Sequence, residues 1–255
     1  MAGFANQILV GKQVDEGRKL DYTGWLDYFR SNKSKYANLV MPQALMCRDK
    51  ARNAALAATL ARFQIGETGE GKHLKSQALK VEGPVYLETM DLFLREENNH
   101  ADYLARVIGL LDGRLLKGHW TDAFFIVFRR ALGLKTELFV LLVAEILGQV
   151  FYDCVAHSPE YEELSELFAT IVADEKAHLE FHIQYLGLRM QETLPGTLGK
   201  VSRTILYAVW TAFFLAAMIV FIADNRRGLK ATDTSCIDYV LNCLCLLENA
   251  GRRIF

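Results

Sequence analysis

Two short stretches, "REENNHADYL" at 95–104 and "ADEKAHLEFH" at 173–182, carry one pattern: two acids in succession, then a histidine three places after the second. Glu96–Glu97–x–x–His100 thus matches Asp174–Glu175–x–x–His178. At i and i+3 on a helix a Glu and a His share a face, so each stretch offers a carboxylate and an imidazole to one centre from one side. Hard carboxylate oxygen combined with imidazole suits iron or manganese. In the second stretch His182 points into the same ~60° sector as Glu175 and His178, one turn further along.

Two more carboxylates complete a set. Glu67 sits in "FQIGETGEG", and Glu145 sits in "LLVAEILGQVFY" as the only charge between Glu137 and Asp153. An unpaired carboxylate in surroundings that apolar is costly. Two Glu-x-x-His helices plus one Glu from each of two further helices make the di-metal site of a ferritin-like bundle. A single Glu-x-x-His is weak evidence, because Glu70-x-x-His73 also matches on the helix expected to give a lone Glu. His73 falls about 240° round from Glu67, off the site face. Glu70 stays an alternative to Glu67, with Glu67 preferred.

The order Glu67, Glu97-x-x-His100, Glu145, Glu175-x-x-His178 resembles the ferritin-like di-iron carboxylate superfamily, which includes rubrerythrin, the ribonucleotide reductase small subunit, aldehyde-deformylating oxygenase and the p-aminobenzoate N-oxygenases. The likeness covers about residues 43–193 and is at superfamily level. It implies a pair of iron ions, or manganese or a mixed pair, with O2 as co-substrate. It also implies that Asp174 orients His100 from behind, with Glu96 as the equivalent candidate on the other helix. The likeness to the N-oxygenases makes His182 a candidate third histidine on one metal, although theirs occupies a different place in the motif. Tyr152, two turns after Glu145, reads as packing.

Long helices must position these groups. Four prolines, at 42, 84, 159 and 195, punctuate the chain. The spacing predicts one helix over 43–81, a second over 85–111, a third helical region over 121–157 with a break near Gly133, and a fourth opening at "SPEYEE" and running to about 193. Further helices are expected over 198–225 and 233–250, and short ones with Trp25, Tyr28 and Phe29 over the first 40 residues. No alternating run is long enough to demand a sheet. The expectation is a single all-α domain over 1–255, a ferritin-like four-helix bundle with additional N- and C-terminal helices.

Residues 204–223, "TILYAVWTAFFLAAMIVFIA", hold no charge and are long enough to cross a bilayer. The expectation is burial against the bundle or in a homodimer, with membrane attachment through 204–223 as the alternative. The 255 residues include 51% hydrophobic ones and a net charge of −1, with no basic block, which excludes disorder and makes nucleic acid an unexpected partner. The N-terminus lacks the features of a secretory signal, and five cysteines form no CxxC pair, so a cytoplasmic protein with reduced thiols is expected.

The expected function is a dioxygen-activating di-iron oxidoreductase, a monooxygenase or oxidase, acting on a small, largely apolar organic substrate with an external electron donor. The alternatives are an iron storage or ferroxidase protein and a membrane-associated di-iron quinone oxidase or hydroxylase.

Overall fold

A computed structural model describes residues 22–47, 49–68, 71–117 and 133–255. Its helices are α1 (Tyr22–Ser31), α2 (Lys50–Glu67), α3 (Lys72–Ala78), α4 (Pro84–Leu110), α5 (Leu134–Ala156), α6 (Ser165–Thr193), α7 (Gly196–Ala231) and α8 (Cys236–Ile254), with 3-10 turns at Asn32–Asn38 and Pro159–Leu164. No strand occurs among the described residues. The chain is all-α.

Local chemistry sets the boundaries. The Asp49 carboxylate caps α2 by accepting from Ala51 N at 2.9 Å and Arg52 N at 3.1 Å. Pro84 occupies the first turn of α4, where its missing N–H costs nothing. Gly133 takes φ +84° ahead of α5, a conformation that other residues rarely adopt. Pro195 stops α6, which ends at Thr193.

The predicted single helix over 43–81 is in fact two, α2 and α3. The chain turns at Gly71, whose φ of +56° is left-handed and whose missing Cβ leaves room for Leu94. The segment after Ser158 also differs: the Ser makes no side-chain cap, Tyr161 is non-helical, and α6 proper begins at Ser165. The third region is described only from Gly133, so residues 118–132 lie outside the description, as do residues 1–21 and Glu70.

The core bundle is α2, α4, α5 and α6. Helix α2 packs on α4 and α5 packs on α6. Glu67 meets Glu97 at one level of the α2–α4 pair, while Gly113 abuts Ala57 at another, so these two helices are antiparallel. Helices α5 and α6 are antiparallel too, since Tyr152 lies against Phe168 and Lys135 against Thr193. So are α4 and α6, where Tyr86 pairs with Tyr185 and His100 with Asp174. Helices α4 and α5 therefore run the same way. Burial of Leu56, Leu60, Phe93, Leu104, Leu138, Phe151, Phe168 and Phe181 supplies the apolar driving force, roughly 1.5–3 kcal/mol per large side chain. Helix α1 covers α4, and α8 covers α5 and α6.

Helix α7 departs from the expectation of burial within the chain. It packs on α2, yet only 17% of its most apolar 18-residue window is buried. Two helices, α5 and α7, are long and apolar enough to cross a membrane; for α5 the buried share is 72%, as befits a core helix.

Candidate metal centre

Antiparallel packing of α4 on α6 brings the two Glu-x-x-His stretches face to face in opposite senses. Glu97, His100, Glu175 and His178 each present one ligand atom, all within 4.8 Å of one another, and all four residues are buried. His178 Nδ1 lies 2.8 Å from Glu97 Oε1, and His100 Nδ1 lies 3.1 Å from Glu175 Oε1. Within each helix the matching separations are both 3.9 Å. Each histidine is thus nearer to the facing helix's Glu than to its own.

The other two glutamates join this group. Glu67, the last residue of α2, reaches Glu97, and Glu145 on α5 reaches Glu175. Burial first, then the neighbouring Glu97 and Glu175 carboxylates, push Glu67 well above the ordinary range. Burial and the same two neighbours, Glu175 ahead of Glu97, do so for Glu145. Glu175 is pushed up to about 7, mainly by burial. Burial opposes ionisation of Glu97 as well, but contact with His178 outweighs it and draws Glu97 down to about 2. Four carboxyls converging in an apolar interior repel one another unless protons or cations sit between them.

Behind the histidines the arrangement repeats. His178 Nε2 lies 2.9 Å from Glu96 Oε2, and His100 Nε2 lies 3.4 Å from Asp174 Oδ2. Burial opposes the charged form of His178, but its contacts with Glu96 and Glu97 outweigh it and push it well up; with a cation in the cluster, a proton kept on Nε2 would leave each Nδ1 lone pair free to face it. Asp174 also accepts from Lys35 Nζ and Tyr36 Oη of the 3-10 turn after α1. These contacts, with His100, overcome burial and bring Asp174 down to about 2. Tyr103 Oη in turn donates to Tyr36 O at 2.9 Å, and Phe29 stacks on His178 with centroids 5.9 Å apart. Nothing in the spacing of "NKSKY" foretells this, because the contact is made across 138 residues of sequence.

The inner face is left without hydrogen bonds. Glu97 Oε1, His100 Nδ1, Glu145 Oε1, Glu175 Oε1 and His178 Nδ1 are all buried with no hydrogen-bond partner. Buried polar atoms are nearly always paired, and five such atoms, four of them on the residues whose ligand atoms lie within 4.8 Å of one another, have the chemistry of a cation's ligands. The four glutamates bring four negative charges, which two divalent ions balance. The end of α2 at Glu67 adds the negative pole of a helix, which also favours a cation. The donor set fits a metal ion.

His182 is fully buried beside this cluster, with both ring nitrogens lacking partners. Phe93 and Phe181 flank it, with centroids 4.9 and 5.2 Å away. Burial first, and His178 second, hold it down to about 3, so its ring is neutral. Tyr152 is more than packing: its hydroxyl donates to Glu67 Oε1 at 2.7 Å. His73 lies away from the cluster, with Nδ1 2.9 Å from Glu137 Oε2. Glu67 alone among the six is only half-buried as a residue; the other five are buried.

No protein-family model, curated protein or solved structure matches the chain. An all-helical bundle with a buried Glu/His cluster fitting a di-iron ferritin-like site is what the molecule itself shows.

Proposed function

We propose that the protein is a dioxygen-activating di-iron oxidoreductase acting on a small, largely apolar organic substrate, with electrons from an external donor. One observation carries this reading: five buried ligand atoms on four side chains of α4 and α6 and on Glu145 face one another without hydrogen bonds, while carboxylates support both histidines from behind. Glu67, Glu97, His100, Glu145, Glu175 and His178 would hold the two metals, with the neutral, unpartnered imidazole of His182 as a candidate further ligand. When bound, a pair of iron ions supplies the redox chemistry with O2 that side chains lack. Glu96 and Asp174 keep a proton on the outer nitrogen of each histidine and fix the ring tilt. Phe93, Phe181 and Phe29 exclude water on the histidine side.

The test is elemental analysis and oxygen uptake on protein from iron-replete cells. About two iron or manganese ions per chain are expected, and the reduced protein should consume O2 in proportion to the chain. A folded protein with no transition-metal affinity overturns the reading. Uptake that scales instead with iron added in excess, with a growing mineral, marks a ferroxidase or storage protein.

The exposed apolar face of α7 favours a second reading, a membrane-associated di-iron oxidase or hydroxylase whose substrate is dissolved in lipid. Catalysis on a lipid-soluble quinone or alkyl chain, rather than on a water-soluble molecule, would distinguish it.

A further inference from the structure

Helix α7 presents one long apolar face to the outside. Leu198, Val201, Ile205, Leu206, Val209, Leu215, Ile219 and Val220 are between 37% and 85% exposed, and no charge interrupts residues 204–223. At 1.5 Å per residue the face from Leu198 to Ala223 is roughly 38 Å long. The largest apolar patch on an ordinary monomer is about 300–600 Å², and eight large side chains along such a length reach or exceed it. Something covers this face.

The other side of α7 is tied to the bundle along its whole length. Arg203 donates to Phe255 O and Leu194 O, Trp210 Nε1 donates to Phe139 O at 3.1 Å, and Arg62 Nη1 donates to Asn225 Oδ1 at 2.9 Å. Gly228 lies so close to Thr59 that a Cβ there would meet Thr59 Oγ1 at 2.2 Å. A helix held this way cannot leave the bundle to cross a bilayer by itself.

Charge at one end of the face identifies the cover. Arg226, Arg227 and Lys230 follow its end; all three are exposed, and none makes an ion pair among the described residues. The helical step puts Arg226, Arg227 and Lys230 within about 60° of the line through Ala212, on the apolar stripe itself. A second copy of the chain is a poor match. Pairing α7 with itself in antiparallel sense sets Arg226 and Arg227 against the partner end near Leu198, where α7 has no acid to receive them. Parallel pairing sets the three basic residues against their own copies. The first acid of α7 is Asp224, at the edge of the stripe in line with Leu206.

We propose that α7 lies flat on an anionic lipid bilayer, its apolar face among the acyl chains near the headgroups, with Arg226, Arg227 and Lys230 on lipid phosphates. The proposal rests on exposure and charge alone and stands independently of the metal reading.

The test is co-flotation of the full chain with vesicles of phosphatidylcholine alone or with about 30% phosphatidylglycerol, beside size exclusion without detergent. Wild type should float with the anionic vesicles and bind them at least tenfold better than neutral ones. Arg226→Gln/Arg227→Gln/Lys230→Gln together should remove that preference, at about fivefold per charge. Ile205→Gln/Ile219→Gln, at exposed positions where the fold tolerates polar residues, should abolish binding to both while the circular dichroism spectrum is retained. Failure of wild type to float with either vesicle overturns the proposal. So does a stable dimer in detergent-free buffer that Ile205→Gln/Ile219→Gln dissociates, since a second copy would then be the cover.

Discussion

Glu96 on α4 stands 2.9 Å from the outer nitrogen of His178 on α6, while the residue after it, Glu97, stands 2.8 Å from the inner nitrogen of the same ring. Two successive acids therefore grip one histidine from both sides. Asp174 and Glu175 do the same to His100 at 3.4 and 3.1 Å, which makes the α4–α6 pair a near two-fold repeat. The acid pair preceding each x–x–His is the motif's working unit, and its second-position partner is on the opposite helix.

Removing either rear support should loosen the metal without unfolding the bundle. Glu96→Ala and Asp174→Asn are each expected to weaken metal retention or activity by roughly 10–100-fold. Chelator competition against iron, followed by circular dichroism, checks both parts. Wild-type retention in both variants would dismiss the orienting role.

Glu145 is a site where function opposes stability. Its carboxyl is 5% exposed and pushed well up by burial and by Glu175. In metal-free protein, Glu145→Leu should stabilise the fold by about 1–3 kcal/mol, because an apolar side chain of similar size replaces a buried repelling group. At this chain length that corresponds to about 2–4 °C in Tm per kcal/mol. The same variant should lose the rise in Tm that iron gives wild type. Parallel thermal melts with and without iron separate the two effects.

The seat of α7 on α2 can be tested at Gly228. A Cβ there would come within 2.8 Å of Thr59 Cβ, and both belong to packed helices. Gly228→Ala is therefore expected to cost about 1–3 kcal/mol through overpacking, despite the better helix propensity of Ala. Gly228→Ala combined with Thr59→Gly should recover most of it. Denaturant titration of the four proteins forms the cycle.

Alkaline stability should follow the buried thiols. Burial pushes Cys154 and Cys243 up to about 12 each, from ordinary values near 9. A proton held more tightly in the folded state stabilises fully below the unfolded value and is lost as pH rises through the folded one. Stability should therefore fall between about pH 9 and pH 12, and Cys154→Ala should flatten that fall. Exposed Cys236 and Cys245 should be alkylated near pH 8 well before either buried thiol. Melts at several pH values and mass-spectrometric mapping read the two effects.

The paired Glu-x-x-His pattern, the isolated Glu145 in an apolar run and the proline-punctuated helices were all legible in the sequence, because each depends on local spacing or on one residue's immediate surroundings. So was the 3.6-residue logic that puts Glu97 with His100 and Glu175 with His178. The pairing of Asp174 with His100 was expected from the superfamily likeness, but that Glu97 and Glu175 would each lie nearer the facing helix's histidine than their own was not legible, since it depends on the antiparallel crossing of α4 and α6. The Lys35–Tyr36 latch on Asp174, the Tyr152 bond to Glu67 and the break at Gly71 likewise arise from contacts between distant segments, or from a backbone turn that accommodates Leu94. The exposure of α7 is the clearest case. Twenty uncharged residues read the same whether a helix is enclosed, paired or laid on lipid, because hydropathy records what a side chain prefers and not how many neighbours the fold has left to cover it. Only the packing of α2, α5 and α8 around α7 decided that one face would remain outside.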